Sequence, residues 1–398
     1  MNQSVCVIGL GYIGLPTAAL LSNKGFSVHG VDVVPEIVDI INSGEIHIVE
    51  PELDQFVKKG VSFKKLIASI KPTYADVFII AVPTPFHEGY RPNIDYVISA
   101  TISIAPYIKD GNLVILESTS PVGTTEKIAK ILTENGIDVD KINIAHCPER
   151  VLPGQVMREL IENDRIVGGI NEKSTAAVKS FYELFVTGNV LTTDSKTAEM
   201  CKLVENSYRD VNIAFANELS MICDDANINV RELIQLANKH PRVNILQPGC
   251  GVGGHCIAVD PWFIVSDFPK YSNIIKQARL ANVYKTEWVI EKINNEVLEF
   301  KRIKNVNPKI ACLGLAFKPN IDDLREAPAL EIFKKLKDTG LSVFAVEPNI
   351  ESGIPVETIS LNDGLDNCDI IVILVAHNEF LNINSLSLKD KVLLNFAF

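Results

Sequence analysis

Short apolar runs alternate with longer segments of helical length along the first part of the chain. Residues 5–9 form one such run. A glycine-rich turn and a helical pattern over 13–24 follow, and 27–32 reads as a second strand. Further strand-like runs fall at 77–82, 113–117 and 143–145, with enough chain between them for helices. That spacing predicts a parallel α/β sheet. From 195 to 226 there is no proline or glycine, and Ala, Glu, Leu, Met and Lys are frequent, which predicts one long spine helix.

More helical sequence follows at 229–239 and 273–300, separated by a glycine-rich loop over 249–254, so the middle of the chain reads as all-helical. After a hinge at 305–308 the opening pattern returns, with a strand at 310–315, a helix at 329–337 and a strand at 342–346. The run 369–375 mirrors 76–82, and 391–395 reads as a last strand. The expected fold class is therefore α/β: two Rossmann-like doubly wound parallel-sheet domains joined by a helical central domain with a long spine helix. The expected boundaries are 1–195, 196–304 and 305–398.

Composition narrows the partners. The 398 residues are 47% hydrophobic and 22% charged, the balance of an ordinary globular protein. A net charge of -11 argues against nucleic acid as the main partner, although a local group of Arg and Lys could hold a phosphorylated ligand. The chain enters its first strand with no cationic and apolar leader, and no apolar run approaches a membrane span, so no membrane association is expected. Eight cysteines are scattered without paired spacing or the density of a disulfide scaffold, which points to a reducing cytoplasm.

Gly9, Gly11 and Gly14 make a GxGxxG turn between a predicted strand and a predicted helix, the context that gives this motif meaning. The first glycine permits the turn, the second lets a pyrophosphate approach the backbone, and the third lets the helix pack closely. The helix N-terminus offers unpaired N–H groups to the anion. Asp32 ends the second strand, where a carboxylate bonds both ribose hydroxyls and repels the extra phosphate of NADP, so NAD is the expected cofactor. These residues identify a cofactor and leave the reaction open, because many substrates are oxidised on this fold.

The segment Gly249-Cys250-Gly251-Val252-Gly253-Gly254-His255-Cys256 places a cysteine at the end of a flexible, glycine-rich loop where backbone can approach a ligand. A core cysteine beside a turn is the ordinary alternative. A zinc site of Cys250, His255 and Cys256 is a second alternative, with poor ligand spacing. Lys202 and Asn206 lie four apart on the predicted spine helix and so share one face, although Lys-x-x-x-Asn by itself is ordinarily solvated surface.

The stretch GVGGHCIAVDPWFIV resembles the active-site loop of the UDP-glucose/GDP-mannose dehydrogenase family. Similar signatures run in order along nearly the whole chain: VIGLGYIGLP, VPTP followed by Asp95, ESTSPVGTT, CPERVLPG, KLVENSYRDVNIAFANEL, HPRVN and GLAFKPNIDDLREAP. The resemblance implies a four-electron oxidation of a nucleotide-sugar 6-hydroxyl using two NAD, with Cys256 as the covalent nucleophile. It assigns Lys202 and Asn206 to oxyanion stabilisation and substrate contact. Glu149 matches the carboxylate that positions or activates the hydrolytic water, with Thr119 beside that water and Asp260 as a second acidic group near it. It further places Tyr12, Ile13, Thr84, Thr119 and Arg325 at the cofactor, and Gly253, Lys318 and Arg242 at the substrate. The arginine at 242 reaches from a partner subunit, which implies a homodimer.

The implied substrate is a UDP-N-acetylhexosamine, with the N-acetylmannosamine sugar favoured by AVDPWF and PERVLPG. UDP-N-acetylglucosamine, UDP-N-acetylgalactosamine and UDP-glucose are the alternatives within the family, and the product uronate implies surface-polysaccharide synthesis. A two-electron β-hydroxyacid dehydrogenase shares the Rossmann domain, the long helix and the Lys/Asn pair. A nucleotide-sugar sensor without turnover is the non-enzymatic alternative. One departure stands out: family members run on into an Asp-Thr-Arg-Gly-like segment whose arginine helps bind the nucleotide, whereas this sequence ends at Phe398. Set against the resemblance, that ending leaves three readings open: weaker UDP affinity, another base in that arginine's place, or a sequence cut short of the segment.

Overall fold

The structure, a computed structural model, describes residues 3–87, 89–254, 256–350, 354–383, 388 and 391–397. The chain divides into two units, Met1–Glu205 and Asn206–Phe398. The first unit opens with β1 (Ser4–Ile8), α1 (Gly14–Asn23), β2 (Ser27–Val31), α2 (Pro35–Asn42), α3 (Leu53–Ser62), β3 (Leu66–Ser69) and β4 (Val77–Ile80). A two-residue hairpin, β5 (Phe86–His87) and β6 (Arg91–Pro92), precedes α4 (Asp95–Ile104), β7 (Leu113–Leu116), α5 (Thr124–Glu134) and β8 (Asn143–His146). Next come α6 (Val156–Glu162), β9 (Arg165–Gly169), α7 (Glu172–Tyr182) and β10 (Val190–Asp194). The spine helix α8 (Ser195–Asp225) then carries the chain from one unit into the other.

The strands of the first unit form one sheet in the order β10-β9-β8-β7-β4-β1-β2-β3. Reversal of strand order beside β1 is the doubly wound arrangement, which gathers ligand-binding loops at the carboxyl ends of the strands. Alternating side chains of β1, β4 and β7 enter two cores, one on each face of the sheet: Val5, Val7 and Ile79 on one side, and Cys6, Ile8 and Ile80 on the other. The sheet is not parallel throughout, because β8 and β9 pair antiparallel while β10 runs parallel to β9. Gly168 and Gly169 explain why the short DRIVGG run holds this join. A Cβ on Gly168 would lie 2.2 Å from the carbonyl oxygen of Asp194, and one on Gly169 would lie 2.4 Å from the amide of Thr175.

The second unit continues with α9 (Val230–Ala237), α10 (Asp260–Asp267) and α11 (Asn273–Lys304). No strand interrupts the described residues between 195 and 308. The long α11 stops at Asn305, which adopts a left-handed φ of 56° and leads into the 305–308 hinge. A parallel sheet in the order β12-β11-β13-β14 follows, from β11 (Lys309–Leu313), β12 (Ser342–Val346), β13 (Ile370–Ile373) and β14 (Val392–Asn395). Helices α12 (Pro328–Asp338) and α13 (Leu361–Asn367) complete it.

The repeat expected from the sequence is visible at the level of single contacts. Asp76 accepts the amide of Ser4 at 2.7 Å, and Asp369 accepts that of Lys309 at 2.8 Å. Gly9 donates its amide to the carbonyl of Val31 at 2.8 Å, as Gly314 does to Val346 at 2.8 Å. Among the described residues no helix is long and apolar enough to cross a membrane.

Candidate active site

The glycine turn after β1 is built by exclusion. Gly9 has a φ of +91°, and a Cβ there would lie 2.5 Å from the carbonyl oxygen of Ala81. A Cβ on Gly14 would lie 1.8 Å from the oxygen of Gly9, so the start of α1 can rest on the turn only without a side chain. Gly11 differs, because a Cβ there would meet nothing within 4 Å. The α1 start that follows has no side-chain cap and no acidic residue in its first turn, so its first amides are available to an anion. Tyr12 is exposed and Ile13 half-buried at the same turn.

Asp32 accepts the amides of Leu10 at 3.0 Å and Val34 at 3.1 Å, one on each carboxylate oxygen. Each oxygen retains acceptor capacity for a ribose hydroxyl. Across the turn, Thr84 donates its hydroxyl to the carbonyl of Thr119 at 2.6 Å, joining the segments after β4 and β7. These residues fit a dinucleotide: an open backbone cradle, an uncapped helix start and an oriented carboxylate.

Glu149, just after β8, is buried and held at both oxygens. It accepts the amide of Arg150 at 2.6 Å and the guanidinium of Arg165 at 2.5 Å. Arg165 also lies over the Tyr182 ring at 5.5 Å, and the Tyr182 hydroxyl donates to Glu117 at 2.6 Å. Burial, and then the nearby charge of Glu149, push the Glu117 carboxyl up to about 7. The loop carrying Glu149 is tied down further along by Glu50, which accepts the amides of Gly154 at 2.9 Å and Val156 at 2.8 Å. Arg150 forks onto Glu205 of α8, with contacts of 2.7 and 3.1 Å.

The half-buried Lys202 follows an anchor on α8. Glu199 is fully buried and accepts the amides of Gly123 at 2.6 Å and Thr125 at 2.7 Å, together with the Thr125 hydroxyl at 2.6 Å. A carboxylate at the start of α5 satisfies its unpaired amides and fixes the first turns of the spine helix.

In the second unit the structure brings Asn206, Cys256 and Asp260 together. Asp260 opens α10 and donates its amide to the carbonyl of Cys256 at 2.8 Å. Its carboxylate accepts the side-chain amide of Asn206 at 2.5 Å, with both residues buried. The half-buried Cys256 thus stands one turn from a carboxylate that orients the Asn206 amide.

The loop before Cys256 differs from the flexible segment expected of its glycines. Thr286 donates to the carbonyl of Cys250 at 2.9 Å, and Gly254 donates its amide to the carbonyl of Arg325 at 3.0 Å. A Cβ on Gly253 would lie 2.5 Å from the oxygen of Glu326. The glycines therefore serve close packing. A buried relay fixes the entry to the loop: Gly249 donates to Asn217 at 2.8 Å, Asn217 to Asn282 at 2.9 Å, and Asn282 to Asp210 at 2.8 Å, where Arg279 closes the charge at 2.5 Å.

Lys318 and Arg242 are both exposed. Arg325 forks onto Asp323, two residues before it in the same loop. His255 lies outside the described residues, and among those described no three His, Cys, Asp or Glu side chains are arranged to hold a metal. Sequence reasoning passed over Arg165, Glu199 and the Asp210 relay, since each acts through contacts far apart in the chain. Among these, only DRIVGG, beside a family signature, carried a local signal.

A doubly wound sheet with an open glycine cradle and an oriented acid defines an NAD-binding protein of the dehydrogenase type. The chain belongs to the UDP-glucose/GDP-mannose dehydrogenase family: residues 3–186 match its NAD binding domain, 196–284 its central domain and 311–397 its UDP binding domain. It is 55% identical to UDP-N-acetyl-D-mannosamine dehydrogenase of Campylobacter jejuni, over 98% of this chain and 99% of that one. It is 50% identical to NDP-N-acetyl-D-galactosaminuronic acid dehydrogenase of Ralstonia nicotianae, over 99% and 95%. Among solved structures, UDP-D-ManNAc dehydrogenase of Pyrococcus horikoshii superposes with a TM-score of 0.91 at 39% identity, covering 99% of this chain and 95% of that one.

Proposed function

We propose that the chain oxidises the 6-hydroxyl of UDP-N-acetyl-D-mannosamine to the carboxylate, giving UDP-N-acetyl-D-mannosaminuronate. The carrying observation is the Cys256, Asp260 and Asn206 arrangement, a thiol one turn from a carboxylate that orients an amide donor. A two-electron alcohol dehydrogenase has no use for that thiol. The identity to relatives that bear the N-acetylmannosamine name supports the choice of sugar.

Bound NAD supplies the acceptor for one hydride in each of two oxidations. The first leaves an aldehyde at C6, the hydroxyl proton passing to solvent. The Cys256 thiolate then forms a C–S bond to that carbon, and the carbonyl oxygen becomes an oxyanion, for which Lys202 and Asn206 are the donors. Loss of the second hydride from the same carbon restores the C=O as a thioester. Water, held by Glu149 and Thr119 with Asp260 as a further acceptor, adds to it. The C–S bond breaks, thiolate leaves, the carboxylate is released and the two protons of the water pass to solvent.

Cofactor contact is assigned to Gly9, Gly11, Tyr12, Ile13, Gly14, Asp32, Thr84, Thr119 and Arg325, and substrate contact to Lys202, Asn206, Arg242, Gly253 and Lys318. The working division is 1–195 for cofactor, 196–304 for the cysteine loop and dimer contact, and 305–398 for UDP. Tyr208, Phe215 and Ile222 are exposed at seven-residue intervals on α8, an apolar stripe suited to a second copy of the chain. The reading is a cytoplasmic homodimer in which Arg242 serves the partner's site.

Initial rates on the four candidate UDP-sugars, with NADH counted per acid formed, test the reading. UDP-N-acetyl-D-mannosamine is expected to react fastest, with two NADH per acid. A faster UDP-glucose or UDP-N-acetylgalactosamine rate would move the assignment within the family.

A further inference from the structure

The second Rossmann-like sheet reproduces the acid of the first and puts it to a different use. Glu347 follows β12 as Asp32 follows β2. It accepts the amides of Leu315 at 2.6 Å and Asn349 at 3.0 Å, just as Asp32 accepts those of Leu10 and Val34. Asp32 is half-buried, whereas Glu347 is buried beneath His377, which is 0% exposed. Ala316 stands where the first repeat has Gly11, and Lys318 where it has Ile13, one residue before its helix begins.

His377 links this acid to the lysine's loop. Its Nδ1 accepts the backbone amide of Asn320 at 2.9 Å and lies 2.9 Å from the side-chain amide of Asn349. A nitrogen that accepts carries no proton, so Nε2 is the protonated one and donates to Glu347 at 3.2 Å. Asn320 has a left-handed φ of 59°, and its side-chain oxygen accepts the amide of Asn378 at 2.9 Å. Between Asn320 and Lys318 stands Pro319 alone. Proline fixes its own φ and restricts the residue before it to extended conformations. Anchoring the amide of Asn320 therefore anchors the backbone of Lys318.

We propose that His377 is a positioning residue for nucleotide binding: oriented by Glu347, it holds Asn320 and, through the stiff Pro319, aims Lys318 at the diphosphate of a UDP-sugar. The proposal rests on the assignment of Lys318 to that substrate. It gives the acid of the second repeat a structural task in place of ribose recognition.

The test is calorimetric binding of UDP, and separately of NAD, to the full chain and to His377→Asn, His377→Gln and Lys318→Met. Asparagine keeps an acceptor near the Nδ1 position, whereas glutamine keeps only a donor toward Glu347. Lys318→Met and His377→Gln are each expected to weaken UDP by about tenfold or more, the scale of one lost charged or buried contact. His377→Asn stays within about threefold, and NAD affinity is unchanged throughout. Equal losses in His377→Asn and His377→Gln, parallel losses of UDP and NAD, or an unaltered UDP affinity in His377→Gln would each overturn the proposal. An unaltered UDP affinity in Lys318→Met would instead remove the lysine's assignment. Should His377→Gln not fold, Pro319→Gly cuts the same lever with the histidine intact. It is then expected to give the same selective loss, and normal UDP binding by that variant would count against the proposal.

Discussion

Replacing Gly11 with alanine separates what the fold needs from what the cofactor needs. A Cβ at Gly11 meets no atom within 4 Å, and its backbone is not left-handed. The unfolded chain loses freedom with the substitution, so the cofactor-free protein is expected to be as stable as wild type or more so, by about 0.4–1 kcal/mol. The second glycine of this fingerprint is nevertheless the position where a pyrophosphate approaches the backbone, and a methyl group there stands in its way. Losing two charge-assisted hydrogen bonds at about 1.5 kcal/mol each or more weakens NAD by about a hundredfold or more. Gly14→Ala is the contrasting control, because its Cβ would lie 1.8 Å from the oxygen of Gly9 and the start of α1 must shift. That variant is expected to lose at least about 1–3 kcal/mol before any cofactor is added. Thermal unfolding with and without NAD reads both effects. At a hundredfold excess over its Kd, NAD stabilises wild type by about 2.7 kcal/mol, and Gly11→Ala should gain almost nothing under the same conditions. A Gly11→Ala protein that melts well below wild type without cofactor, or that gains as much from NAD, would refute the reasoning.

Two further predictions concern the buried charges around Glu149. Glu117 binds its proton more tightly folded than unfolded, with its carboxyl at about 7 against an ordinary 4.5, so stability falls as pH rises through that window and levels off above it. His146, pushed down to about 3 by burial, acts in the opposite sense, since its neutral folded form loses stability as pH falls below 6.5. The difference between wild type and Glu117→Gln in denaturant titrations at several pH values isolates the carboxyl. The variant should lack a fall of a few kcal/mol, at about 1.4 kcal/mol per pH unit, and parallel curves would contradict the assignment. Arg165→Met should cost about 3–5 kcal/mol by leaving Glu149 buried without its cation. Adding Glu149→Gln should recover part of that loss, whereas simple additivity would show that the pair is not coupled.

Local pattern made much of this fold legible. The strand expected at 27–32 is Ser27–Val31, and the spine helix expected at 195–226 is Ser195–Asp225. The repeat of 76–82 in 369–375 reappears as matching contacts of Asp76 and Asp369. Such features depend on periodicity, on proline and glycine, and on residues close in sequence. Less visible was β9, whose glycines dilute the apolar run while serving close approaches that only the folded chain reveals. Glycines of the cysteine loop suggested freedom, whereas their lack of side chains is used for packing against Glu326 and Phe317. The positioning groups were harder still. Arg165 meets Glu149 across 16 residues, and His377 meets Glu347 across 30. Neither pairing has a spacing rule, although alignment of the two repeats would have singled out Glu347 as the counterpart of Asp32.

The central claim is that the sulfur of Cys256 captures the aldehyde before water enters. Mass spectrometry of acid-quenched Glu149→Gln during turnover with UDP-N-acetyl-D-mannosamine and NAD, on the intact protein and on its proteolytic peptides, tests it most directly. The account predicts a covalent adduct of the mass of the UDP-sugar acyl group on the peptide containing Cys256, absent in a Cys256→Ser background. Acid formed at an undiminished rate by Cys256→Ser, with no adduct on that peptide in any variant, would contradict it.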